Sequence, residues 1–297
     1  MKKLITILLT LAMVFTLSSS VMAKELIQIK GSDTLINLVQ KLAEDYMAKY
    51  KDTDIAVTGG GSGTGIAALL NQKTDIADAS RSIKGKEVKK AESKGIKVIS
   101  AVIAMDGLSV ITNESNPVKN LTVDQVGKMY RGEITNWKDI GGPDLKVTLY
   151  GRQSNSGTFV FFRKAVVKAD YSQKMLRMNG NSQIVEGVRS DKGGIGYVGV
   201  GYVKDKKTGG VVKGINVIMI AKDAHSAPGS PLDTQAVVTG TYPLVRPLFQ
   251  YMDSNIKPSA KKFVEWELSK TGQDIAVEMG FYPVTEKYKK SNMKNGF

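Results

Sequence analysis

The chain has 297 residues, with 42 Lys and Arg against 28 Asp and Glu for a formal charge of +14, one His and no Cys. The missing cysteine excludes disulfides, thiolate metal sites and a lipid anchor on an N-terminal Cys. The basic residues fall in mixed runs such as Lys84-Gly85-Lys86-Glu87, without Arg-aromatic interleaving, which argues against nucleic acid and leaves smaller anions as the partners a positive surface attracts.

At the N-terminus, Lys2 and Lys3, an apolar run from Leu4 to Leu17 and the small-residue end Val21-Met22-Ala23 predict a signal peptide over 1–23, cleaved after Ala23. The run is shorter than the roughly 20 residues that span a bilayer. An exported chain with no lipid tether needs an outer wall to stay near a membrane partner, so the expected compartment is the periplasm.

Beyond the leader, short β-rich runs alternate with helical ones, which predicts an α/β architecture. Leu26-Ile27-Gln28-Ile29 reads as a strand, Gly31-Ser32-Asp33-Thr34 as a turn, and Leu35, Leu38, Val39, Leu42 and Tyr46 as one helical stripe. Ile55-Ala56-Val57 then runs through a Gly-rich turn, Gly59 to Gly65 with Ser62 inside it, into apolar Ile66 to Leu70. Asp75-Ile76-Ala77-Asp78-Ala79 approaches Ser80-Arg81-Ser82, a second hydroxyl-plus-Arg cluster in which Arg81 has the alternative of pairing with an acidic neighbour. Thr122-Val123-Asp124-Gln125 forms a capping box for a helix through Tyr130, and Trp137 is read as packing a loop. The third strand-turn-helix unit is Val147 to Tyr150, Gly151 to Thr158 and Phe159 to Val167.

Each of the three turns offers Ser or Thr hydroxyls and unpaired N–H groups at a helix start, where an anion is favoured. One such turn alone is ordinary N-capping; three turns and Arg152, whose planar fork can bind two oxygens of a tetrahedral oxyanion, make a cradle.

Enzyme readings fail on the residues. His225, the only His, sits in a polar loop with no triad around it, and Lys270-Thr271-Gly272 reads as a coincidental match to a penicillin-recognising motif. Gly194-Ile195-Gly196-Tyr197-Val198-Gly199 fits a dinucleotide fingerprint, but the β-rich run Val198 to Val203 stands where a helix is required. No metal-ligand spacing or Walker sequence occurs, and the twelve Met read as core filler, so neither metal nor cofactor is expected. A secreted phosphatase-like enzyme lacks a nucleophile-base pair.

Over nearly all the chain after the leader, the residues resemble the phosphate-binding subunits of bacterial phosphate ABC transporters, the PstS family. The resemblance rests on Gly31 to Leu35, the turn around Ser62, Asp75 to Arg81, Tyr130-Arg131-Gly132-Glu133-Ile134-Thr135-Asn136-Trp137, Arg152 to Thr158, Gly272-Gln273 and Gly280 to Pro283. It implies a two-lobed periplasmic binding protein of the class II type, each lobe a mixed sheet flanked by helices, closing on a phosphate dianion in the cleft between lobes. Lobe 1 is expected over 24–104 and 237–297, and lobe 2 over 105–236. The phosphate-binding set it implies is Ser32, Thr34, Leu35, Ser62, Ser80, Arg81, Arg152, Ser156, Gly157 and Thr158, in a monomer that serves an inner-membrane ABC permease. Two positions depart from the family: Arg81 stands where members carry an Asp after Ala-Ser, and Ser154 where some carry an Asp two residues beyond the binding Arg. A carboxylate can take the proton of hydrogen phosphate and repel sulfate, so Asp33, Asp78 and Asp106 are the alternative acceptors, and other oxyanions such as sulfate or molybdate stay open as ligands.

Overall fold

The computed structural model describes residues 24–205 and 208–297, so the expected signal peptide lies outside the described residues. In chain order the first part runs β1 (Glu25–Gly31), α1 (Ile36–Lys49), β2 (Thr53–Thr58), α2 (Ser62–Leu69), β3 (Ile76–Ala79), α3 (Gly85–Glu92), β4 (Val98–Gly107), β5 (Ser109–Asn113), β6 (Asn120–Thr122) and α4 (Val123–Arg131). The rest runs β7 (Thr148–Arg152), α5 (Gly157–Phe162), β8 (Leu176–Met178), α6 (Asn181–Ser190), β9 (Gly194–Val198), β10 (Ile215–Val217), β11 (Met219–Ala221), α7 (Thr234–Thr239), β12 (Val245–Asp253), α8 (Pro258–Leu268), α9 (Lys270–Glu278) and α10 (Glu286–Lys294).

These strands build two five-stranded mixed sheets, ordered β2-β1-β3-β12-β4 and β10-β5-β9-β7-β8, with β11 and β6 as a separate pair. The chain leaves the first sheet at Gly107, enters the second at Ser109, and rejoins the first with β12 at Val245. β4 and β12 therefore lie beside the crossing, antiparallel to each other, with Arg246 opposite Asp106.

Helices cover the sheets because their apolar stripes match. On α1, Leu38, Val39, Leu42, Ala43 and Tyr46 are buried, the spacing expected of one face of a 3.6-residue helix. β3 is buried along its whole length, as an inner strand covered on both faces must be. The capping box of α4 is formed: Thr122 Oγ1 accepts the Gln125 N–H at 3.1 Å and Gln125 Oε1 accepts the Thr122 N–H at 2.8 Å. Trp137 is fully buried and donates from Nε1 to the Gly193 carbonyl at 3.0 Å, an architectural contact. The strand expected to continue past Val198 does not. β9 ends there, and a single 3-10 turn at Val200–Tyr202 follows, because Gly199 and Gly201 let the backbone pack against Thr34 and Phe281 where a side chain would clash. Among the described residues no helix is long and apolar enough to cross a membrane.

Candidate functional site

The first loop is shaped by backbone. Gly31 adopts φ +147° and lies against the Asp78 carbonyl, which accepts the Ser32 N–H at 2.9 Å. The Leu35 N–H closes the turn onto the Ser32 carbonyl at 3.0 Å, leaving the Leu35 side chain in the core and the Thr34 hydroxyl beside the first turn of α1. In the second loop Gly60 and Gly61 take φ of +113° and +93°, and Ser62 becomes the first residue of α2. In the third, Ser156 caps α5 by accepting the Phe159 N–H at 3.3 Å, and Gly157 and Thr158 open the helix.

These loops meet. Thr34 Oγ1, from the first sheet's side, is 2.8 Å from Thr158 Oγ1, from the second's. Ser80 Oγ, at the end of β3, lies 2.9 Å from Ser32 Oγ and 3.4 Å from both Ser62 Oγ and Thr158 Oγ1. The Ser80 N–H donates to Ser62 Oγ at 3.0 Å. Ser32, Thr34, Ser62, Ser80, Ser156 and Thr158 are all at most 3% exposed. Hydroxyls both donate and accept, so this cluster can turn its hydrogens toward an anion or receive a proton from one.

A second guanidinium stands at the centre, one that reading the sequence missed. Arg246 on β12 is 2% exposed and donates from Nη2 to Thr158 Oγ1 at 3.0 Å, and to Thr34 Oγ1 at the limit of 3.5 Å. Its Nη1 donates to the Ser80 carbonyl at 3.0 Å. Asp106, fully buried opposite it, accepts from Nε at 2.9 Å and from Nη2 at 2.7 Å through Oδ2, while Oδ1 accepts the Val200 N–H at 2.9 Å. Burial pulls the Arg246 pKa down and Asp106 pushes it back up; an Arg stays charged through such a shift. The one available signal was an Arg on the buried face of a strand, in step with Leu248, Gln250 and Met252.

Arg152 and Arg81 part ways. Arg152, fully buried on β7, donates from Nη2 to the Asn179 carbonyl at 2.8 Å and to Asp33 Oδ2 of the facing loop, while its buried Nη1 has no partner. Asp33 also accepts the Gly60 N–H at 3.0 Å, and its own carbonyl accepts from the Tyr202 hydroxyl. Arg81 turns away from the hydroxyl cluster: its Nη1 and Nη2 form a two-pronged pair with Glu87 at 2.8 and 2.7 Å, and Nη1 also reaches the Ser82 carbonyl. Arg81 and the Lys84 N–H on Glu87 hold that carboxyl below the usual carboxylate range, against the upward pull of burial, which is the largest influence on it. Asp78 faces the interior behind β3, Ser154 is exposed, and so is His225.

A family model described as a PBP superfamily domain matches residues 18–271. The phosphate-binding protein PstS of Pseudomonas aeruginosa is 32% identical over 89% of this chain and 84% of its own. This chain belongs to the PstS family. The protein SphX of Synechococcus elongatus is 31% identical over 92% of this chain and 82% of its own. Among solved structures, a Clostridium perfringens protein assigned as the substrate-binding component of a phosphate ABC transporter, with bound phosphate, is 27% identical at a TM-score of 0.77, covering 88% of this chain and all of its own. An ABC-type phosphate transport receptor from Vibrio cholerae is 28% identical at a TM-score of 0.67, covering 87% of this chain and all of its own. In this PstS-family chain the carboxylate that meets Arg152 comes from Asp33 in the facing lobe rather than from position 154, and the one that meets Arg246 comes from Asp106 at the crossing.

Proposed function

We propose that the protein is an exported receptor, not an enzyme, that takes up inorganic phosphate between its lobes and delivers it to an inner-membrane ABC permease. The carrying observation is that Thr34, Ser62, Ser80 and Thr158, from four loops on both lobes, are linked by hydroxyl contacts around the buried Arg246. The names of the curated relatives support phosphate as the ligand. The proposed ligand set is Ser32, Thr34, Leu35, Ser62, Ser80, Arg152, Ser156, Gly157 and Thr158 with Arg246 added, and Arg81 serving Glu87 instead. Release from a leader cleaved after Ala23 into the periplasm as a monomer completes the reading.

Asp106 spends its oxygens on Arg246 and Val200, so the proton of hydrogen phosphate falls to hydroxyl oxygens or to the remaining lone pairs of Asp106. Titration calorimetry with phosphate and sulfate on the purified protein tests both points. Phosphate is expected to bind, with sulfate competing measurably. Arg246→Ala should weaken phosphate by about 3 kcal/mol or more, because charge-assisted bonds inside a closed cleft are lost. Equal heats for wild type and Arg246→Ala would remove Arg246 from the site.

A further inference from the structure

Behind the first lobe's loops lies a group of polar side chains that the phosphate site does not use. Gln250 on β12 stands opposite Asp78 on β3, and its Nε2 donates to Asp78 Oδ1 at 3.2 Å and to Glu267 Oε1, on α8, at 3.3 Å. All three residues are at most 2% exposed. Both hydrogens of Nε2 are thereby spent, yet Gln250 Oε1 and Glu267 Oε2 are buried with no partner. Two carboxyls and an amide share only two hydrogens, and an unsatisfied buried oxygen costs about 1–3 kcal/mol, more if charged.

Among the described residues no cation is placed to correct this. Over the same face, Lys41 pairs with Asp45 on α1 at 2.7 Å and Lys270 with Asp274 on α9 at 2.6 Å. On α8, Lys261 faces Glu265 and Lys262 is exposed; on α9, Glu278 is exposed. Lys257, ahead of α8, pairs with Asp75, and Arg246 further along β12 pairs with Asp106 of β4. Lys30 on β1 is in register with Ala77, so it points to the opposite face from Asp78.

We propose that Asp78 and Glu267 form a proton-binding site, with Glu267 Oε2–H donating to Gln250 Oε1 to complete an acid–amide pair, and that loss of these protons weakens phosphate binding. The second half rests on the phosphate reading above. One proton on Glu267 satisfies both orphaned oxygens. Burial acts in the same direction, pushing Asp78 up to about 8 against the opposing hydrogen bond from Gln250, and raising Glu267 well above the usual carboxyl range, with Asp78 adding to it. The coupling is short: Asp78 is two residues before Ser80, and its carbonyl holds the Ser32 N–H. A carboxylate formed there, in low dielectric behind the cradle, repels the incoming anion. By reciprocity, bound phosphate strengthens proton binding.

A carboxyl whose folded pKa lies above its unfolded value carries more protons folded than unfolded, so the stability that Asp78 contributes is fully present below about pH 4 and is lost as pH rises to about 8. Glu267→Gln places an N–H where the acid O–H stands and cannot titrate, and Asp78→Asn removes the other acid. Melting of wild type should fall toward pH 9 more steeply than that of either variant, and the wild-type Kd for phosphate should rise several-fold relative to Asp78→Asn over the same range, a ratio in which phosphate's own titration cancels. Infrared difference spectra of wild type should hold a protonated-carboxyl band at neutral pH. Parallel melting and Kd profiles, or no such band, overturn the proposal. Absence of phosphate binding at every pH would defeat the phosphate reading and the coupling with it, while melting and infrared still decide the proton site.

Discussion

Asp106 and Arg246 neutralise each other deep inside the protein, so removing one charge leaves the other stranded. Asp106→Asn keeps an oxygen for the Val200 N–H but leaves Arg246 without a counter-charge, and should cost about 3–5 kcal/mol of stability in urea unfolding. A loss under about 1 kcal/mol would mean that the pair is not desolvated as its burial implies. The same pair shows why part of the site could not be read from sequence. Thr34, Ser62 and Thr158 are signalled by neighbouring Gly and by the helices that follow them, all local features. The contact between Arg246 and Asp106 spans 140 positions and appears only when β12 returns beside β4. Arg81 errs the other way: a hydroxyl-plus-Arg cluster pointed to a site, but Glu87 six residues on gave its guanidinium a closer partner.

The strand-turn-helix units were readable because strand alternation, glycine turns and a helical stripe are written within a dozen residues. The third unit holds one departure. The helix expected through Val167 is α-helical only to Phe162 and ends in a π turn over Arg163–Val167, closed by Lys168 at φ +57°. The three-residue strands β6, β8, β10 and β11 are too short for periodicity to reveal. At the mouth of α5, Gly157 is required by a neighbour in the other lobe: a Cβ there would meet Ser62 Oγ, and Ser80 Oγ at 2.7 Å. Gly157→Ala should leave far-UV circular dichroism unchanged, since each lobe keeps its own packing, and raise the Kd for phosphate more than tenfold, about 1.4 kcal/mol. Unaltered affinity would show that the lobes do not need this approach to bind.

The two lobes touch through more than the hydroxyl cluster. Asn155 donates to the Gly60 carbonyl at 2.8 Å and its own carbonyl accepts the Gly63 N–H at 2.9 Å, alongside the Arg152 and Asp33 pair. The α/β architecture followed from the alternating elements, and the two lobes from the resemblance. Which side chains fasten them did not, because each partner belongs to a different loop more than 90 positions away. Small-angle scattering with and without phosphate should report compaction on binding, and Asp33→Asn should give a larger radius without phosphate than wild type. Equal radii for the two would show that Asp33 does not draw the lobes together. Arg152 thus has a resident carboxylate within reach. On the proposed reading, in which Arg152 holds the anion, Asp33 can take over the charge that departing cargo had balanced, so discharge does not require exposing a bare cation, and a receptor can hold tightly yet still be emptied.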